Sequence, residues 1–239
     1  MKKSALTAAH MTRELERRAN PEQAALLQRF FKTGPGEYGE GDLFYGMKVP
    51  QIRALVKLYR DAPLTEVLKL LRSPMHEARL LALLLMVDTY RRSRDDIRGE
   101  IYDLYLGNPR HINNWDLVDL SAPHIVGQHL EKTDRAILKK LAASNSLWER
   151  RISVLAPFWF IRQNDFDDAL RIAALLLDDH QDLIHKAVGW MLREIGKRNL
   201  SAEEKFLRRH YRTMPRTMLR YAIERFPEPH RQAYLKGTI

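Results

Sequence analysis

Asn113-Asn114-Trp115-Asp116-Leu117-Val118-Asp119 sets two carboxylates and an indole into a short, otherwise apolar helical pattern. Trp115 and Asp119 are four residues apart, so on a helix they share one face, a single turn from each other. Two later stretches repeat the theme: Leu147-Trp148-Glu149-Arg150-Arg151-Ile152 and Lys186-Ala187-Val188-Gly189-Trp190-Met191-Leu192-Arg193-Glu194. Aligning Arg79, Asp116, Arg151 and Lys186 puts each at a like point of an amphipathic helix, roughly 35–37 residues from the one before, and Arg216 follows after about 30. A period in that range, with two helices per unit, predicts an all-α fold, an α-solenoid of HEAT-like helical repeats. One unit is too thin to bury its own apolar face. Stacking must build the core, and it is expected to curve the array around a concave basic cleft lined by the second helix of each pair. The three quoted stretches are second helices in this register and are expected to line one site.

Outward from them, residues 5–32 read as two helices, interrupted by the cap and N1 proline of Asn20-Pro21. Gly34-Pro35-Gly36 ends the second, and the four glycines between Gly34 and Gly41 mark a loop, either a lid or a plain connector. Val49-Pro50 opens a helix through Tyr59. Another is expected from Thr65 to Leu71 after Pro63, and Ser73-Pro74 opens a long apolar helix from His76 to Tyr90. Arg91, Arg92 and Arg94 then complement a helix C-terminus, with phosphate as their other possible partner. Breaks at Asn108-Pro109, Thr133, Asn145, Asp178-Asp179, Asn199 and Pro227-Glu228-Pro229 keep helices alternating to the end. Period-two alternation never holds for long, so no strand is expected. The whole reads as one repeat domain over residues 1–239, with N-terminal helices at 5–71, a repeat core at 74–197 and basic C-terminal helices at 198–239.

At 239 residues the chain is long enough for a sizeable core, and 45% hydrophobic against 29% charged residues reads as globular, not disordered. It has no cysteine, which excludes a disulfide framework, a thiolate metal site and a cysteine nucleophile, and fits a cytoplasmic location. The basic start Met1-Lys2-Lys3 is not followed by an apolar signal core, and the run from Leu80 to Val87 is half of what a bilayer needs, so no membrane role is expected. A net charge of +10 attracts polyanions, nucleic acid first among soluble ones, although a solvated surface also accounts for it. From Arg198 onward there are 10 Lys/Arg against 4 Asp/Glu, so this end holds over half of the excess.

Common catalytic signatures are absent: no phosphate-cradling glycine loop, no His-Glu-x-x-His, no Gly-x-Ser-x-Gly. The nine histidines are scattered and read as surface or satisfied core groups, so no metal is expected. Asp95-Asp96, Asp167-Asp168 and Asp178-Asp179 fall near helix ends, where capping explains them. Asp119 is different. It falls between Val118 and Leu120 and, if buried, needs a partner, which Arg151 in the next repeat could supply. From the residues alone this is either a structural ion pair, with Trp115 and Trp190 as core, or a site.

Three segments carry a family resemblance: Trp115-Asp116-x-Val118-Asp119, Trp148-x-x-Arg151 and Lys186-Ala187-x-Gly189-Trp190-x-Leu192-Arg193-Glu194. In residues, order and separation they resemble the AlkD-like alkylpurine DNA glycosylases, a HEAT-like repeat family. The similarity is firm from Gly107 to Lys197, looser from Pro21 to Tyr90 and weak in the basic C-terminal part. The glycine-rich loop is longer than this family suggests. The resemblance implies a DNA repair glycosylase that hydrolyses the N-glycosidic bond of cationic N3- or N7-alkylated purines in duplex DNA, as a monomer and without metal or cofactor. Carried over by motif, Asp119 is the catalytic carboxylate, Trp115 and Trp190 are aromatic walls, and Arg151 touches the backbone near the lesion. Two other readings stay open: a HEAT-like DNA- or RNA-binding module without catalysis, and a protein-interaction scaffold. A binder gains nothing from an anion facing phosphates, and a scaffold does not predict the basic excess.

Overall fold

A computed structural model of the chain describes residues 6–239. Residues 1–5, with the basic start and the first residue of the expected N-terminal helical stretch, lie outside the described residues. The chain forms two compact units that divide after Ser121. Among the described residues there is no strand, only an isolated parallel bridge between Leu43 and Met75, and the all-α helical repeat architecture expected from the period is what the chain adopts.

The first unit contains α1 (Ala8–Arg17), α2 (Pro21–Phe30), α3 (Val49–Tyr59), α4 (Leu64–Leu71), α5 (His76–Arg92), α6 (Asp95–Leu106) and α7 (Trp115–Asp119). Its centre is α5, against which α1, α3, α4, α6 and α7 all pack. The run from Leu80 to Val87 is buried all round, as befits a helix without a polar face. Caps fall where the sequence puts them: the Asn20 side chain accepts from the Gln23 N–H, with Pro21 at N1. On α2, however, Leu26 and Phe30 are 53% and 63% exposed, although they belong to the apolar face expected to pack.

The glycine-rich segment between α2 and α3 is tied down, as a connector would be. The Glu77 carboxylate accepts the backbone N–H groups of Tyr45, Gly46 and Met47 at 2.8–3.0 Å. Asn20 donates its N–H to the Tyr45 carbonyl. Gly46 has φ 88°, and a Cβ there would lie 2.1 Å from the Asn20 carbonyl oxygen, so only glycine fits.

The second unit contains α8 (Ala136–Ala142), α9 (Leu147–Leu155), α10 (Phe158–Ile161), α11 (Asp167–Leu175), α12 (Asp182–Gly196), α13 (Leu200–His210), α14 (Arg216–Ala222) and α15 (Glu228–Lys236), preceded by a single π-turn, Pro123–Gly127. Here α12 is the hub and touches α9, α10, α11, α13 and α14. Gly189 explains its place in the third quoted stretch: a Cβ would meet the Met218 carbonyl oxygen at 2.4 Å, so α14 approaches α12 only over glycine. The aligned residues Arg79, Asp116, Arg151, Lys186 and Arg216 fall on α5, α7, α9, α12 and α14. Each is the second helix of a pair. The break at Pro157, which splits off α10, had no counterpart in the expected register. Among the described residues no helix is long and apolar enough to cross a membrane.

Candidate active site

The first quoted stretch folds as a loop that enters a five-residue helix, and Asn114 is its N-cap. The Asn114 side-chain carbonyl accepts the Trp115 N–H at 2.8 Å, while its amide donates to Asp42 at 3.0 Å. A short helix makes few bonds of its own and cannot fix its own orientation. Here a buried polar chain does so. His76, the first residue of α5, sits with Nδ1 3.2 Å from Asp42 Oδ2 and Nε2 2.9 Å from Asp116 Oδ2. Arg79 Nη2 donates to Asp42 Oδ1 at 2.6 Å, and its other terminal nitrogen reaches the carbonyls of Ser73 and Pro74. Asp42, His76, Arg79, Asn114 and Asp116 are all buried. Burial alone would push the His76 imidazole down. The charge of Asp116 and the hydrogen bonds to Asp116 and Asp42 outweigh it, and the pKa rises to about 9. Burial likewise works to raise Asp42, but its bond to His76 and the Arg79 guanidinium hold it below the usual carboxylate range.

The two acids of the stretch thus separate. Asp116 is the buried one. Asp119, at the last position of α7, is half-buried. The Tyr105 phenol, buried and 2.9 Å from Ser121 Oγ, lies within electrostatic reach of Asp119. Burial pushes Tyr105 well up, Ser121 draws it back, and the charge of Asp119 adds to the rise.

One turn before Asp119, the half-buried Trp115 closes an aromatic row. Phe44 stacks on His76 at 4.7 Å and on Phe31 at 5.2 Å, and Phe31 stacks on Trp115 at 5.3 Å. Phe30 meets Trp115 edge-on at 6.1 Å and is itself exposed. Phe30 and Trp115 thus present an accessible aromatic edge beside a carboxylate. The exposure of Phe30, anomalous for a packing residue, belongs to this edge.

The second unit places Trp190 on α12, half-buried, with its indole N–H donated to Glu194 at 3.0 Å; Lys197 holds Glu194 in turn at 2.6 Å. Phe158 packs against Trp190 at 5.6 Å, and the exposed Arg162 lies over the Phe158 ring at 4.2 Å. Arg151, on α9, is only 4% exposed and donates to the Leu183 carbonyl at the start of α12. Of the four residues named from sequence, Trp115 and Asp119 come together on α7, and Arg151 and Trp190 lie on the packed pair α9 and α12. Neither tryptophan is fully buried core. The acid pairs near helix ends are not the caps expected of them: Arg94, Phe166 and Gln181 hold the N-cap positions, none with a side-chain cap bond. The acids instead sit in first turns or pair with arginines, Asp168 with Arg135 and Arg171 and Asp179 with Arg150 at 2.6 Å. Sequence reading passed over Asp42, His76, Phe30, Phe31 and Phe158. Only the phenylalanines gave a signal, as apolar residues in excess of what a core face needs. Among the described residues no group of three or more His, Cys, Asp or Glu is placed to hold a metal ion.

The family of DNA alkylation repair enzymes matches this chain over residues 11–226. A solved structure, of a predicted DNA alkylation repair enzyme from Enterococcus faecalis, superposes with a TM-score of 0.68 at 18% identity, covering 88% of this chain and 97% of that one. At that identity the likeness speaks for the fold. No curated protein matches the chain in sequence.

Proposed function

The chain belongs to the family of DNA alkylation repair enzymes, and from that premise we propose that it is a DNA glycosylase that releases cationic N3- and N7-alkylated purines from duplex DNA. The observation that carries this reading is the half-buried carboxylate of Asp119 one turn from the accessible edge of Trp115. Cleavage of an N-glycosidic bond passes through an oxocarbenium-like sugar. A carboxylate beside the anomeric carbon stabilises that charge and positions or deprotonates the attacking water. An alkylated purine already carries positive charge and departs as a neutral base, so no general acid is required and one carboxylate suffices. An indole face attracts a cationic base or sugar by roughly 0.5–2 kcal/mol. Trp115 and Phe30 supply such a surface beside Asp119, and the family resemblance gives Trp190 a like part. A carboxylate beside an aromatic edge suits a lesion that stays in the duplex, whereas most glycosylases extrude the base.

Arg151, tied to the Leu183 carbonyl, is assigned the DNA backbone near the lesion, and the basic C-terminal helices supply further phosphate contacts. The protein is read as a cytoplasmic monomer that uses neither metal nor cofactor. The deciding experiment is incubation with a duplex carrying a single 7-methylguanine, scored for the free base. Release supports a glycosylase. Tight binding without release leaves a non-catalytic DNA-binding module, and no binding leaves a protein-interaction scaffold.

A further inference from the structure

The buried chain through Asp42, His76 and Asp116 takes no part in the chemistry above, yet its geometry dictates a charge state. Both ring nitrogens of His76 face carboxylate oxygens at hydrogen-bond distance. A neutral imidazole has one N–H and one lone pair, so one nitrogen would oppose an anionic oxygen with nothing between them. Only the imidazolium donates on both sides. The charges agree. Asp42 and Asp116 bring two negative charges into a buried site, Arg79 brings one positive, and a second cation closes the balance. Among the described residues, those around the ring offer no other candidate. The loop contributes Asp42, α7 contributes Asp116 next to the neutral Asn114, and α5 itself contributes Arg79. Glu77 is engaged by the N–H groups of Tyr45, Gly46 and Met47. His111 feels Arg79, after Arg110 and Arg72, and Phe31 and Phe44 lie against the His76 ring without charge.

This ring touches Trp115 by two routes. Asp116 is the next residue in the chain, and its second oxygen accepts the Leu117 N–H of α7. Phe31, which stacks on Trp115, also packs on the imidazole at 4.8 Å. We propose that His76, held as an imidazolium between Asp42 and Asp116, is a positioning residue that locks the glycine-rich loop to the start of α7 and so sets the pose of Trp115 and Asp119. Its catalytic consequence rests on Asp119 being the catalytic carboxylate; its charge state and its hold on Trp115 do not. The elevation of its pKa to about 9 is in keeping with this.

Three measurements test it, two of them on the wild-type protein. With 15N-labelled histidine, the His76 ring should carry protons on both nitrogens near neutral pH and lose that state only as pH rises through about 9; a neutral tautomer at neutral pH overturns the proposal. With 5-fluorotryptophan, the Trp115 resonance, assigned by its loss in Trp115→Phe, should shift over that same range while that of Trp159 stays in place. A Trp115 signal indifferent to the titration overturns the positioning role. Third, His76→Gln at a temperature where it is folded should release 7-methylguanine about a hundredfold more slowly under single-turnover conditions, the scale of a misplacement near 1 Å. Its affinity for undamaged duplex should hardly change, and its rate should lose the wild-type decline above pH 9. A wild-type rate with a wild-type pH profile overturns the proposal. If His76→Gln does not fold, the two wild-type spectra decide. If the wild-type protein releases no base, the glycosylase reading fails by itself and the spectra still decide whether His76 holds Trp115.

Discussion

The rings of Phe31 and Trp115 lie stacked, 5.3 Å between centroids and 21° between planes. Phe31 is buried and Trp115 only half-buried, so the indole is held from the protein side while part of it faces outward. Replacing Trp115 or Trp190 by Phe should therefore keep most activity. Alanine at either position should lose the cation–π attraction of roughly 0.5–2 kcal/mol. The melting temperature should fall by less than the loss of a full core aromatic, about 3–5 kcal/mol, would cause. Thermal melts of both alanine variants, beside single-turnover base release, separate a wall from a core residue.

Asp119 and Asp116 should behave oppositely. Asp119→Asn should keep the fold and DNA affinity but lose base excision by about two to three orders of magnitude, the scale of one lost electrostatic contact to the transition state. Asp116→Asn removes a partner of the buried His76 and should cost stability on the order of 3 kcal/mol. Excision by a folded Asp119→Asn variant at the wild-type rate would show that the catalytic carboxylate lies elsewhere.

Two buried groups should make stability fall as pH rises from about 4.5 to about 9. Glu203 is 2% exposed, its Oε1 finds no hydrogen-bond partner, and burial followed by the charge of Glu204 pushes it from the ordinary 4.5 up to about 8, against Arg193. Between those values the native chain holds a proton that the unfolded chain has lost, so stability falls with rising pH by about 1.4 kcal/mol per unit. His76, raised from 6.5 to about 9, contributes stability that is fully present below 6.5 and is lost through about 9, a slope of the same sign. Glu203→Gln should match the wild type near pH 4.5 and exceed it increasingly up to about pH 8. Denaturant melts across that range check it; equal stability at every pH would mean that Glu203 titrates normally.

Binding to undamaged duplex should weaken with salt, with a log–log slope of about −0.9 for each phosphate contact. Arg212, Arg220 and Arg225 are exposed, and alanine there should lower affinity and slope without lowering the melting temperature. Arg151→Ala should lower affinity and slope and the melting temperature as well, because it also leaves the Leu183 carbonyl without its guanidinium donor. Fluorescence anisotropy over a salt series measures the slopes, and salt-independent affinity would favour a scaffold.

Selectivity should follow the leaving group. An ionised Asp119 stabilises a sugar cation but donates no proton. Of the other acids in the quoted stretches, Glu149 is bonded to Ser144 and Glu194 is held by Trp190 and Lys197. Cationic 7-methylguanine and 3-methyladenine should be released, and hypoxanthine, uracil and 1,N6-ethenoadenine should not. Efficient release of a neutral base in single-turnover assays would require a general acid and end the one-carboxylate mechanism.

Local pattern determined much of this. The repeat period, the caps at Asn20 and Asn114, the apolar run of α5 and the pairing of Trp115 with Asp119 one turn apart depend on spacing along the chain. What tertiary structure alone decided is which acid is buried. Asp116 and Asp119 stand three residues apart in similar apolar surroundings, and spacing along the chain left open which of them is buried. The fold decides it by bringing His76 from 40 residues away to Asp116. Asp42 reaches Asn114 across 72 residues, and Phe30 owes its exposure to the packing of α2, not to its periodicity. Helical periodicity records which residues share a face. It carries no information about which distant side chain will arrive to neutralise a charge, because such a contact depends on how whole helices pack.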